Sequence, residues 1–270
     1  MPVAEFTLGE LSDSLASIGI VAGDTVLMHS SLLHIGMLAG CPPREIPDRV
    51  ISGLLDYLGP KGTLAVLAPC YDYSNDNIPF DTRKSPVAHE LGILSAALAA
   101  RPDALRSANP TFSLAAVGPG AENICIGSNA SAFGAGSAWE RTVEAGAKIL
   151  LLGSEFQRMT LVRFIEQRAG VPYLYVKYFQ IPVFRDGIEL DLPVTALLRY
   201  AHLPLQYDLS GFETLLRDAN ILHEAAIGGG FACALDAAQC VQAGLKALAS
   251  DLHYFLASLP AYDDAELPMT

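Results

Sequence analysis

The chain has 270 residues, of which 51% are hydrophobic, and its 17 Lys+Arg against 29 Asp+Glu give a formal net charge of -12. A chain of this length can bury a substantial core without metals or disulfides, and its apolar content excludes a disordered protein. The acidic balance argues against a nucleic acid partner, because phosphates are bound by clustered Lys and Arg. An acidic surface attracts cations such as polyamines or protonated amino sugars, although solubility alone explains the charge equally well.

The cysteines and the N-terminus indicate the compartment. The five cysteines are odd in number and scattered, with no CxxC pair, which favours a reducing compartment and argues against a structural zinc site. The first twenty residues lack a basic segment followed by a continuous apolar run, and no stretch of the chain reaches about 18 apolar residues without charges. We therefore expect a soluble cytoplasmic protein with no membrane partner.

The first part of the chain alternates helices with apolar strands. Thr7 and Glu10 have the spacing of a capping box and predict a helix that ends at Gly19. The next predicted elements are a strand at 25–29, a helix at 47–58 and a strand at 63–68. Residues 69–88 show no sustained period and form a long loop, which on its length alone is a candidate lid or binding loop.

The remaining chain continues the alternation and adds a hairpin. The predicted elements are a helix at 91–100, a strand at 113–117, a Gly/Ser/Asn-rich stretch up to 137, a strand at 148–153, a helix at 161–169 and a strand at 173–179. Asp186 and Gly187 between two alternating runs predict a β-hairpin, and Asp236 is the N-cap of a final helix that ends at Pro260. The whole pattern predicts one α/β domain over 1–270, with a mixed sheet flanked by helices and a frayed tail at 260–270.

Sequence motifs for several common kinds of functional site are weak or absent. The glycine-rich segments at 117–123 and 228–230 match neither a P-loop nor the dinucleotide fingerprint and are interpreted as turns. There is no GxSxG elbow, and Cys70 at a strand end is interpreted as an inert apolar cysteine. The six histidines are scattered, with only His29 and His34 close together and no HExxH motif. No metal site is expected.

Two local patterns are better candidates for a functional site. His29, Ser30 and Ser31 follow a buried strand, at the end of an α/β sheet where ligands bind, although His29 could equally be a hydrogen-bonded core residue. Arg163 and Glu166 stand three residues apart and share one face of the helix after the strand at 148–153. The alternative for this pair is an ordinary ion pair on a helix surface.

Six segments, in their order and spacing, together resemble the aminoglycoside 3-N-acetyltransferase family. They are GDTVLMHSSLLHIG (23–36), GTLAVLAPCYDYSND (62–76), PFDTRKSPVAHELGILSAAL (79–98), RSANPTFSLAAVG (106–118), GAKILLLG (146–153) and TLVRFIEQRAGVPY (160–173). The resemblance covers most of residues 7–250. It implies transfer of an acyl group from coenzyme A to an amine of a sugar.

The resemblance also implies positions for the two substrates. In the family the HSSL turn and the RSxHPxxSxAAxG segment line the coenzyme site, which here corresponds to Ser30, Ser31, Leu32, Arg106, Ser107 and Ser113. Arg106 is the candidate partner of a coenzyme phosphate, because a guanidinium matches phosphate geometry bidentately. The candidate contacts of the acceptor are Tyr71, Asp72 and Asn109.

The chain departs from the family at two histidines. The family has an HxxE motif whose histidine deprotonates the amine, and here Arg163 stands in its place, while Asn109 replaces a second histidine. Arginine cannot act as a general base. Three accounts remain: Glu166 or His29 takes the proton; the acceptor supplies its own base or is already unprotonated, with Arg163 free to bind an anionic group; or the site is inactive and the fold only binds coenzyme A or another small molecule.

Overall fold

The structure is a computed structural model that describes residues 4–72 and 78–262. Its strands are β1 (Glu5–Phe6), β2 (Thr25–Ser30), β3 (Met37–Leu38), β4 (Thr63–Leu67), β5 (Phe80–Asp81), β6 (Leu105–Arg106), β7 (Leu114–Val117), β8 (Lys148–Leu152), β9 (Leu174–Phe179), β10 (Val183–Arg185), β11 (Ile188–Leu190), β12 (Val194–Arg199), β13 (Leu222–Ile227) and β14 (Gly230–Asp236). Its α-helices are α1 (Leu8–Ser17), α2 (Leu32–Ile35), α3 (Ile46–Leu58), α4 (Ile93–Ala99), α5 (Ala121–Cys125), α6 (Ala138–Glu144), α7 (Leu161–Ala169), α8 (Ser210–Asp218) and α9 (Ala237–Ser250). Short 3-10 helices lie at Pro43–Glu45, His89–Leu91 and Phe156–Arg158.

A seven-stranded mixed sheet in the order β13-β14-β8-β2-β4-β7-β6 forms the centre of the molecule. Its middle strands β8, β2 and β4 are parallel to one another. The next strand on each side, β14 beside β8 and β7 beside β4, is antiparallel to them. The α/β class and the mixed sheet predicted from the sequence are confirmed. Parallel strands place their carboxyl ends at one edge of the sheet, which is where ligands bind in this class of fold.

Alternation along the central strands gives the sheet an apolar layer on each face. On β2, Leu27 packs into one cluster with helices α5 to α9, while Val26 and Met28 pack on the opposite face against α1, α3 and α4. Successive side chains of a strand point to opposite faces, so a sheet buried on both faces needs apolar residues at every position. This explains why the central strands are continuous apolar runs.

The predicted hairpin at Asp186 and Gly187 is confirmed, but it lies outside the main sheet. Both residues have positive φ, 52° and 79°, and join the antiparallel strands β10 and β11. Strand β10 pairs in parallel with β5, so the hairpin belongs to a three-stranded sheet. The antiparallel strands of the main sheet come instead from β7 and from a second hairpin, β13–β14, which the sequence analysis did not predict.

Several predicted boundaries are confirmed and one is wrong. Helix α1 has the predicted capping box between Thr7 and Glu10, and α7 spans the predicted residues. Helix α9 begins after its N-cap Asp236 as predicted but ends at Ser250 rather than Pro260, since Asp251 is extended and caps the following turn through the backbone N–H of His253. The predicted frayed tail at 260–270 lies mostly outside the described residues.

The glycines at 228–230 form the turn of the β13–β14 hairpin, as the sequence predicts. Gly228 has a φ of +54°, and a Cβ there would lie 2.1 Å from the carbonyl oxygen of Ile35. A Cβ on Gly230 would lie 2.8 Å from the carbonyl oxygen of His34. Small residues at this turn therefore let it pack directly against the backbone at the end of α2.

Two negative findings apply to residues 4–72 and 78–262. No helix in this part of the chain combines the length and the apolar character needed to cross a membrane. The same residues contain no group of three or more His, Cys, Asp or Glu side chains arranged to hold a metal ion.

Candidate active site

A cleft lies at the carboxyl ends of the parallel strands β2, β4 and β8. We call it the strand-end cleft; its volume is about 440 Å³, and it is lined by Met28, His29, Ser30, Ser31, Leu33, His34, Leu67, Glu90, Leu91, Ser95, Ser154, Arg158 and Thr160. The structure thus brings three of the predicted residues, His29, Ser30 and Ser31, to one cavity. Its lining mixes apolar side chains with hydroxyl, imidazole and charged groups, as is usual for small-molecule sites.

His29 is the most unusual group in this cleft. Its side chain is only 8% exposed, and its Nε2 atom has no hydrogen-bond partner among the described residues. Burial lowers the pKa of His29 to about 4, because the charged imidazolium loses its hydration. The ring is therefore neutral at pH 7, with one buried nitrogen left to hydrogen-bond a polar group of a ligand.

We expect the stability of the protein to fall in acid because of His29. Its pKa drops from the ordinary 6.5 to about 4 on folding, so between those values the unfolded state binds the extra proton and the folded state does not. The free energy of unfolding should decline through this window by about 3 kcal/mol. Denaturant titrations from pH 7 to pH 4, run on wild type and on His29→Leu, would measure the difference. His223→Leu is the control variant, at an exposed histidine. Parallel curves for His29→Leu and wild type would contradict the assignment.

Arg163 and Glu166 form a buried polar cluster with two tyrosines. Glu166 is fully buried: one carboxylate oxygen accepts a hydrogen bond from Arg163 Nη1 at 2.9 Å, and the other accepts one from Tyr173 Oη at 2.8 Å. The hydroxyl of Tyr207 also hydrogen-bonds Arg163, whose guanidinium lies 4.2 Å from the centre of the Tyr207 ring. Arg199 lies 4.8 Å from the centre of the same ring.

This geometry argues against Glu166 as the general base. Burial raises the pKa of the Glu166 carboxyl, and the charge of Arg163 with the tyrosine hydrogen bonds opposes that rise. Both oxygens already accept hydrogen bonds and neither is open to solvent, so an acceptor amine has no access to them. The pair is also more than a helix-surface ion pair, because the side-chain exposures are 20% for Arg163 and 0% for Glu166. The pair connects helix α7 to the hydroxyl groups of Tyr173 and Tyr207.

Arg106 is placed inside the protein rather than against a coenzyme phosphate. It is 6% exposed, and its guanidinium donates to the carbonyl oxygens of Ser85 at 2.6 Å, Pro86 at 3.3 Å and Ala68. Burial lowers its pKa to about 10. These hydrogen bonds connect the loop at residues 85 and 86 to the end of β4 and do not favour the predicted phosphate contact, which stays a prediction.

Three more predicted site residues are part of the interior. Ser107 accepts a hydrogen bond from the backbone N–H of Leu114, and Ser113 donates to the carbonyl of Ala68. Asn109 is 3% exposed; its amide donates to the carbonyls of Ala130 and Thr195, and its oxygen accepts from the N–H of Phe112. Since these polar groups are already paired with backbone, the structure argues against Ser107 and Ser113 as coenzyme contacts and against Asn109 as an acceptor contact.

The remaining predicted contacts lie nearer the surface. Tyr71 and Asp72 line a cavity of about 330 Å³. Glu90 lines both this cavity and the strand-end cleft, so the two adjoin. Leu32 begins helix α2 and packs against the core on the α1 face of the sheet. Leu32 is not among the residues that line the strand-end cleft.

A second cleft, which we call the edge cleft, continues from the strand-end cleft. It has a volume of about 480 Å³ and carries the charged residues Glu155, Glu213, Arg217 and Glu224. His34 and Ser154 line both clefts and therefore stand where they meet. Sequence reasoning did not select His34, although its closeness to His29 in the chain was visible.

In α/β folds, a polar cleft at the ends of the parallel strands is the usual place for a small-molecule ligand. The family model of aminoglycoside 3-N-acetyltransferase matches residues 27–249. The curated aminoglycoside N(3)-acetyltransferase VII of Streptomyces paromomycinus is 31% identical over 198 residues, which cover 67% of this chain and 67% of that protein. This chain is a member of the aminoglycoside 3-N-acetyltransferase family.

Solved structures agree with this assignment. The structure of AAC-IIIb in a binary complex with CoASH has a TM-score of 0.76 and 25% identity, and the match covers 95% of this chain and 100% of that chain. A histidine-to-alanine variant of aminoglycoside acetyltransferase AAC(3)-IVa in complex with a gentamicin has a TM-score of 0.74 and 28% identity, with coverage of 94% and 92%.

Proposed function

We propose that the protein is an N-acyltransferase that moves an acyl group from an acyl-coenzyme A to an amine of an amino sugar. The observation that carries the proposal is the unpartnered, neutral imidazole of His29 beside Ser30 and Ser31 in the strand-end cleft. A buried polar atom without a partner costs free energy unless a ligand satisfies it. An acyl-coenzyme A offers amide and thioester oxygens to a group that can donate a hydrogen bond.

Family membership supports both substrates of the proposal. One related structure holds CoASH and another holds a gentamicin, each with a fold that superimposes on nearly the whole chain. The five cysteines of the chain are all free, which fits a cytoplasmic enzyme.

The charges on the site favour a cationic acceptor over an anionic one. Arg163, which could have bound a phosphate, donates instead to Glu166 and Tyr207. The edge cleft carries the three carboxylates of Glu155, Glu213 and Glu224. Two arginines offset them in part: Arg217 pairs with Glu213 at 2.8 Å and with Glu224 at 2.7 Å, and Arg158 lies 3.7 Å from Glu155. A protonated amino sugar complements this surplus of carboxylates.

The second candidate is a protein that binds coenzyme A without catalysis. The observation in its favour is Arg163, which replaces the family histidine and is committed to a buried ion pair. The two candidates predict the same coenzyme binding and differ in turnover.

A thiol-release assay with acetyl-CoA and a panel of amino sugars separates them, with calorimetry for coenzyme binding. We expect turnover with at least one polyamine sugar, and none with the same sugar fully N-acetylated. Ser154→Trp should fill the junction of the two clefts and weaken coenzyme or acceptor binding at least tenfold. Ser258→Trp is the matched control, because Ser258 is exposed and lines neither cleft. Coenzyme binding with no turnover for any acceptor would favour the non-catalytic alternative.

A further inference from the structure

We propose that His34 is the general base that removes the proton from the acceptor amine in this chain. The inference rests on the proposed function and supplies the group that Arg163 cannot provide. In the reaction, the nitrogen lone pair of the amine forms a bond to the thioester carbonyl carbon while a proton of that nitrogen passes to Nε2 of His34. The C–S bond then breaks, and the leaving sulfur takes its electron pair and that proton, which gives the amide and free coenzyme A.

Hydrogen bonding fixes the tautomer of His34. Its Nδ1 lies 2.8 Å from the carbonyl oxygen of Gly153. A carbonyl oxygen only accepts hydrogen bonds, so Nδ1 carries the hydrogen and Nε2 keeps its lone pair. This is the arrangement in which a third group orients a catalytic imidazole. The ring is therefore held with its basic nitrogen on the side away from Gly153.

The backbone on both sides of this hydrogen bond is held in place. Gly153 has a φ of +65°, and its N–H donates to the carbonyl oxygen of Phe231 at 2.8 Å. The N–H of His34 donates to the carbonyl oxygen of Ser31 at 3.2 Å. The glycine turn at 228–230 packs against the carbonyl groups of His34 and Ile35. A base acts efficiently only when such contacts fix its distance and angle to the reacting atom.

The position of His34 suits a base between two substrates. It stands where the strand-end cleft, which holds His29 and the HSSL turn, meets the acidic edge cleft. A coenzyme in the first and an amino sugar in the second would bring thioester and amine together at this junction. His34 is exposed, unlike the fully buried Glu166.

The other candidates for the base are weaker. His29 is desolvated, and burial lowers its pKa to about 4, which makes it a poor acceptor for the proton of an ammonium group. The Glu166 oxygens are occupied, and an arginine stays protonated. The charged or titratable groups around His34 in the two clefts are His29, Glu90, Glu155, Arg158, Glu213, Arg217, Glu224 and Cys233.

The test compares His34→Asn with wild type. The asparagine amide can still donate to the Gly153 carbonyl, but it has no basic nitrogen. We expect kcat/KM to fall by about 100-fold or more, the usual scale for losing a general base, with coenzyme affinity within threefold of wild type. His34→Ala should regain part of its activity when imidazole is added, which a purely structural role would not produce.

His223→Asn is the matched control, because His223 is exposed and lines neither cleft. It should keep the wild-type rate and pH profile. If wild type turns over and His34→Asn keeps its rate, the inference is overturned while the proposed function stands. If wild type turns over no acceptor, both are overturned.

Discussion

Glu166→Ala is expected to lower the free energy of unfolding by about 3–5 kcal/mol, because it leaves the guanidinium of Arg163 without its carboxylate in a largely buried position. It also removes the acceptor of the Tyr173 hydroxyl. Urea unfolding followed by circular dichroism measures the change. The paired replacement Arg163→Met with Glu166→Leu should recover most of the loss, since apolar residues of similar size often substitute for a buried ion pair.

The control for this prediction is an ion pair on another helix. Glu213 and Arg217 stand four residues apart, with side-chain exposures of 30% and 37%. Water screens such a pair, so Glu213→Ala should cost less than about 1 kcal/mol. If Glu166→Ala unfolds at the same urea concentration as Glu213→Ala, the buried ion pair does not stabilise the fold as expected.

Arg106→Met is expected to lower the free energy of unfolding by about 1–3 kcal/mol, because methionine fills the aliphatic space but leaves the carbonyl of Ser85 without its side-chain donor, while the Ala68 carbonyl keeps its hydrogen bond from Ser113. Each buried acceptor left unpaired costs about 1–3 kcal/mol. The guanidinium also lies 4.8 Å from the centre of the Phe80 ring, a contact that methionine cannot reproduce electrostatically. Chemical denaturation measures the loss in the free energy of global unfolding. Hydrogen exchange at the amide of Ala88, whose N–H donates to the carbonyl of Pro69, measures the loss of local stability.

Arg101→Met is the comparison for Arg106→Met. Arg101 pairs with Asp103 at 2.9 Å, and their side chains are 33% and 53% exposed. Its replacement should change stability by less than about 1 kcal/mol. If Arg106→Met keeps the wild-type free energy of unfolding but loses coenzyme affinity, that result would support the phosphate contact predicted from the sequence.

The fold could be predicted where the signal is local. The capping box of Thr7 and Glu10, the Asp236 N-cap and the turn at Asp186 and Gly187 are set by residues close in the chain, and all three are confirmed. Sheet membership is not local. The sequence identifies the hairpin at 183–190 but not its pairing with β5, which depends on contacts across about a hundred residues.

The sequence predicts where the backbone places the candidate site, but it does not predict which side chains contact one another there. The sequence pattern at 25–31 predicts a buried strand and the position of its carboxyl end. It therefore predicts that His29, Ser30 and Ser31 lie at the edge of the sheet, where the structure places them. Whether a polar residue faces a ligand or the interior depends on tertiary packing. Arg106 and Asn109 have the chemistry of binding residues, yet backbone carbonyls occupy their donors. His34 was missed because its orienting partner, Gly153, lies far away in the sequence.

The contacts of residues 78–92 have a mechanical consequence. The N–H groups of Phe80 and Thr82 bond to the carbonyls of Pro182 and Phe184, so this segment and the β10–β11 hairpin share a continuous ladder. On its other side, Arg106 fastens the segment to the end of β4. Glu90 of the same segment forms part of the wall of the strand-end cleft. A displacement of residues 78–92 must therefore strain or break hydrogen bonds to the hairpin and to the end of β4.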